Sequence, residues 1–169
     1  MAIPDGALMG IYLGIDIGVT GAVAVLDESA NLISAIPMPV LADGTKGRRT
    51  VNAPLLASIV LASHADHAFV EFVSARPGEG AASSFSFGRA RGVLEGVLAA
   101  AGIPATFLTP ACWKRQVGLT LASKDASRSE AIRRYPNQAD LFKRKIDDGR
   151  AEACLIAIAG LLRKGATNV

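Results

Sequence analysis

"YLGIDIGVTGAVAVLD", residues 12 to 27, alternates β-branched and small residues on either side of a glycine-marked bend at Gly18 and Gly21. That pattern reads as two strands joined by a tight turn. One residue breaks it, because Asp16 stands between isoleucines where only apolar side chains are expected. Burying an unpaired carboxylate costs several kcal/mol or shifts its pKa until it neutralises. Two readings are open: an Asx-type turn that uses the carboxylate locally, or a cation, metal or strong donors beside it.

Working outward, strand-like runs cover residues 11 to 17, 21 to 27 and 31 to 38, with short links that favour antiparallel hairpins. A polar loop, "ADGTKGRR", leads to a helix capped by Asn52 with Pro54 in its first turn. "HAFVEFV", residues 67 to 73, is a further strand, and it too encloses a single carboxylate, Glu71. A helix follows from about Ser84 to Ala101, with apolar residues at helical spacing and Ser83 or Ser84 as cap. Gly88, Gly92 and Gly96 recur every fourth residue on it. Each costs about 1 kcal/mol of helix propensity against alanine, so the row implies a close approach. Packing on the protein's own sheet is the preferred explanation, and a contact between subunits is the alternative.

"PATFLTP" is a short buried strand ended by Pro110. Two basic helical pieces come next, around "ACWKRQV" and from Ser123 to Tyr135, and a final helix runs from about Asp148 to Lys164. Strands followed by alternating helices and strands predict an α/β fold, a mixed sheet with helices packed on it, in which Asp16 and Glu71 could converge from neighbouring strands. The chain's 169 residues, 50% of them hydrophobic, suit one core, so a single domain over 1–169 is expected, centred on about 11–162. Cys112 and Cys154 match no metal or disulfide spacing, and no stretch is long enough to cross a bilayer. A cytoplasmic protein without membrane contact is expected.

Net charge is only +3, but residues 110 to 150 hold ten basic residues against five acids. Such a region attracts phosphate backbones, although a solvated helix face has the same composition. Within it, "KIDDGRAEACLIA" sets Asp148 and Glu152 four apart, on one helix face, while Asp147 and Glu152 diverge. Acids in a first turn also serve as caps and dipole partners. Four clustered carboxylates repel unless divalent cations neutralise them, and hard oxygen donors suit Mg²⁺ or Mn²⁺. His64 and His67 read as surface residues. Two such ions beside a basic surface point to phosphodiester hydrolysis, hence a nuclease.

"YLGIDIGVTGAVAV", "FVEF", "FGRARGVLEGVLAAAG", "WKRQVGL" with "SK" after it, and "DDGRAEACLIA" occur in this order. In that order and spacing the chain resembles the RuvC-like Holliday junction resolvases of the RNase H-like superfamily, nearer their phage and organellar members. The resemblance implies a five-stranded mixed sheet, three strands antiparallel and then two parallel, with helices on both faces. It implies a homodimer that binds four-way DNA junctions and nicks them in symmetric pairs with two Mg²⁺ per site, Mn²⁺ substituting. By position, Asp16, Glu71, Asp148 and Glu152 match the catalytic, metal-binding acids. Lys114 and Lys124 match lysines that contact DNA, and Arg115 adjoins them in the basic segment.

The chain departs from the bacterial pattern in its last acid, a glutamate four residues after Asp148, with Gly149 three residues before it. The family's aromatic wedge falls on Ser74; Phe72 is turned away from Glu71's face by strand alternation, which leaves Arg76 as the substitute. Two other functions share these features: a junction-binding protein that does not cleave, and a nuclease for other branched DNA or RNA·DNA hybrids. An ATP-handling protein of the actin and sugar-kinase type starts on a similar turn but needs two lobes.

Overall fold

A computed structural model describes residues 10–44, 47–74, 78–120, 123 and 125–167. Strand alternation along β1 (Ile11–Asp16) sends Leu13 and Ile15 to one face of the sheet and Tyr12, Gly14 and Asp16 to the other. β2 (Ala22–Asp27) pairs antiparallel with β1, and β3 (Leu32–Pro37) antiparallel with β2. β6 (His67–Glu71) runs parallel to β1 on its other side, and β7 (Ala105–Leu108) parallel to β6. The five-stranded order is therefore β3-β2-β1-β6-β7, three strands antiparallel and two parallel, as expected.

One face is covered by α1 (Ala53–Ala62) and α2 (Ala81–Ala100), over a core that includes Leu13, Ile15, Val23, Leu56 and Leu94. The other is covered by α3 (Pro110–Gln116), α4 (Ala126–Arg134) and α5 (Asp148–Thr167), over Tyr12, Phe69, Leu108 and Trp113. Helix α5 is the centrepiece, with residues 153 to 159 buried throughout. It lies so close to β1 that a Cβ added to Gly14 would meet the carbonyl of Ala153 and stand 2.7 Å from Ala157 Cβ. Gly160 has the same relation to the Phe69 ring, and Gly149 to the carbonyl of Thr20. Three close glycine contacts, two with backbone and one with the Phe69 ring, thus fix where α5 begins and how it crosses the sheet. Cys154 is a core residue within it. Among the described residues no helix is long and apolar enough to cross a membrane.

The turn between β2 and β3 is closed by Asp27, whose carboxylate accepts from the backbone of Ser29 at 2.9 Å and of Asn31 at 2.8 Å, and from Asn31 Nδ2 at 2.8 Å. Burial opposes its ionisation, but the Asn31 and Ser29 hydrogen bonds outweigh that and lower its pKa.

Three local expectations are corrected. The segment read as a polar loop is flanked by a small hairpin, β4 (Val40–Ala42) with β5 (Arg49–Val51). Helix α2 begins before Ser83, which hydrogen-bonds the Glu79 side chain, and Gly80 holds the N-cap without a side-chain bond. The glycine row does not pack on the sheet: Ala90, Leu94 and Leu98 occupy that face. Among the described residues, a Cβ on Gly88, Gly92 or Gly96 would meet nothing within 4 Å.

Candidate active site

The parallel register that sets Ile15 beside Val70 brings Asp16 and Glu71 to adjacent strand ends. Alternation turns Glu71, like His67 and Phe69 before it, toward α5. The contact of α5 with Gly14 then presents the helix's first turns to the same place, and with them Glu152. Three carboxylates from β1, β6 and α5 consequently share one electrostatic neighbourhood.

Asp16 keeps some solvent contact, but its carboxyl is densely surrounded. Burial, then the charges of Glu71 and Glu152, push its pKa well above the ordinary carboxylate range. Glu152 is raised in the same way, first by burial and then by Glu71, against a downward pull from Lys114 and from the Ser127 hydroxyl, which donates at 3.4 Å. Glu71 Oε1 accepts from Trp113 Nε1–H at 3.0 Å.

Asp148 stands at the rim, lining with Glu152 both a cleft of about 440 Å³ toward Asp16 and one of about 290 Å³ toward Lys114. Its Oδ1 lies 2.6 Å from Arg128 Nε, an ion pair whose angle falls outside hydrogen-bonding geometry. Arg128 also pairs with Asp125.

Asp147 is spent elsewhere. It is 1% exposed and binds the backbone N–H of Arg144 at 2.8 Å, the Arg144 guanidinium and that of Arg150. Burial opposes its charge, but the Arg144 and Arg150 donors prevail and hold its pKa at about 2. A carboxyl depressed in the native state contributes stability above its unfolded pKa of about 3.9 and loses it as pH falls through the native value. The stability gap between wild type and Asp147→Asn is therefore expected to be full at pH 7 and to close as pH approaches 2. Urea denaturation across that range checks it, and a gap independent of pH would refute it.

Among the described residues no three His, Cys, Asp or Glu side chains stand close enough to grip one metal ion. The donor chemistry nevertheless fits a hard divalent cation. All donors are carboxylate oxygens, and two of them are pushed toward protonation by burial and by their neighbours' charge, which a cation would offset.

Of the basic residues read as DNA contacts, Lys114 lines the smaller cleft with Ser127, Asp148 and Glu152, and Arg115 is exposed on α3. Lys124 and Arg76 lie outside the described residues. Phe72, turned from Glu71, stacks under the Arg91 guanidinium at 4.8 Å. The sequence reading assigned no part to Trp113, Ser127 or Arg128, each of which touches one of the four acids. Nor did it single out Phe85 and Phe87, 72% and 41% exposed on α2, of which Phe87 adjoins Gly18 in the turn after Asp16.

No protein-family model matches the chain, and no curated protein matches it in sequence. Solved structures do match it in shape. The Thermus thermophilus RuvC structure in complex with Holliday junction substrate superposes with a TM-score of 0.61 at 15% identity, over 92% of this chain and 96% of that one. A second Thermus thermophilus RuvC structure gives 0.57 at 17% identity, over 93% and 96%. The chain has the RuvC fold, with its mixed sheet and helices.

Proposed function

We propose that this protein is a divalent-metal-dependent endonuclease that resolves four-way DNA junctions by paired, symmetric phosphodiester hydrolysis as a homodimer. The observation that carries this reading is that Asp16, Glu71 and Glu152, from three separate elements, lie within one another's electrostatic reach at one end of a RuvC-type sheet, beside the basic α3. Asp16, Glu71 and Glu152, with Asp148 at the rim, are the residues that would hold the cations. Two ions held there would supply nucleophile activation and stabilisation of the departing oxygen.

The remaining residues have separate tasks. Lys114, next to Glu152, offers a point charge to a backbone phosphate and partly offsets the acidic field that would repel DNA. Phe85 and Phe87 offer aromatic faces on which unpaired bases stack. A two-fold dimer presents equivalent sites to a two-fold junction, which accounts for paired incision. The open glycine face of α2 would let a second subunit approach at backbone distance.

The deciding experiment offers purified protein four-way, Y-shaped, linear duplex and RNA·DNA hybrid substrates, each with Mg²⁺, Mn²⁺ or chelator. Junction-selective, chelator-sensitive paired nicks are expected. Tight junction binding without cleavage in either metal would make the protein a binder only, and preference for hybrids would reassign the substrate. Replacing Lys114 with alanine should weaken binding to every DNA sequence alike and lower the salt slope by about one. A slope identical to wild type would remove Lys114 from the contact surface.

A further inference from the structure

The sequence holds one tryptophan, and α3 buries it completely. A buried indole N–H left without an acceptor costs about 1–3 kcal/mol, and a nearby backbone carbonyl would ordinarily serve. Trp113 instead donates to a carboxylate 42 residues away in sequence, Glu71, which lies within the field of Asp16 and Glu152. Among the described residues nothing donates to the other oxygen of Glu71.

The kind of donor matters. Arg128 sets a positive charge against the acid it touches, Asp148. An indole has no net charge and nothing to accept with, so it fixes the orientation of Glu71 without setting an opposing charge against it. Its ring also lies 5.2 Å from Lys114 Nζ, within reach of a cation–π contact. One rigid, fully buried side chain therefore touches an acid of the cluster and the basic residue of the adjoining cleft.

The geometry points to Trp113 as a positioning residue: its N–H holds the Glu71 carboxylate toward the cation site, and its ring seats the Lys114 ammonium beside it. This rests on the reading of Glu71 as a cation ligand. It also makes the sole tryptophan a built-in optical probe of that ligand.

The test titrates wild-type protein with Mn²⁺ while recording calorimetric heat and indole emission. Trp113→Phe, which keeps an aromatic ring and removes the N–H, is followed by calorimetry and by junction cleavage against Mn²⁺ concentration. Wild-type emission should change and saturate together with the heat. The variant should need about tenfold more Mn²⁺ for half-saturation, the scale of losing a group that orients a metal ligand, with kcat at saturating Mn²⁺ within a few fold. Unchanged half-saturation in the variant, or wild-type heat that saturates with no change in emission, overturns the positioning role while leaving the nuclease reading intact. A wild type that takes up no Mn²⁺ overturns both. Should the variant not fold, the wild-type emission titration decides alone.

Discussion

Asp16→Asn is expected to lower junction cleavage about 1000-fold or more, equivalent to about 4 kcal/mol of barrier, while junction binding is kept or tightened. On the proposed function, the change removes one negative charge from a cluster that would face phosphate, so binding and cleavage part company. A second effect follows from the raised pKa of Asp16. A carboxyl whose native pKa exceeds its unfolded value binds more protons in the folded state, so stability falls as pH rises from about 3.9 through the native value. Asparagine removes that penalty, and in chelator at pH 7 the variant should melt above wild type. Added Mg²⁺ should reverse the order, since only wild type keeps the full ligand set and gains from binding. Melting curves with and without Mg²⁺, beside a nicking assay, check all three. Nicking by the variant at the wild-type rate would end the assignment of Asp16.

Gly14→Ala is expected to cost about 3 kcal/mol or more and to disable the site as well. The new methyl would press on the backbone of α5, at Ala153 and Ala157, and a backbone cannot swing aside as a flexible side chain does. Displacing α5 moves Glu152 off Asp16, so residual folded protein should cleave poorly even at saturating Mg²⁺. Gly88→Ala is the contrast: within the subunit its methyl meets nothing within 4 Å, and better helix propensity should add up to about 1 kcal/mol to the stability of the subunit itself. Urea denaturation of both variants measures the difference, and similar midpoints would mean that α5 tolerates a shift.

Much of this architecture is legible in the residues. Asp16 and Glu71 stand out because each is a charge inside an apolar, alternating run, and the same alternation shows which face they share. Asp148 and Glu152 are paired by helical spacing alone. What escapes depends on distant partners or very short elements. Three-residue strands such as β4 and β5 are too brief to establish a period. The glycine row of α2 shows a face that needs space but not which way it turns, and the burial of Ala90, Leu94 and Leu98 settles that only once the helix is docked. Trp113 stands in a basic helix with nothing local to show that its indole reaches β6, and the grip of Arg128 on Asp148 joins two helices whose approach no motif encodes.

The order in which the chain emerges from the ribosome carries its own safeguard. Asp16 and Glu71 are synthesised early, but α5 fills the middle of one hydrophobic layer and brings Glu152 with it. Domains fold as units once their parts are present. Nascent or prematurely terminated products lacking α5 would thus have neither a closed core nor a complete set of acids, so the proposed site could form only in the finished chain.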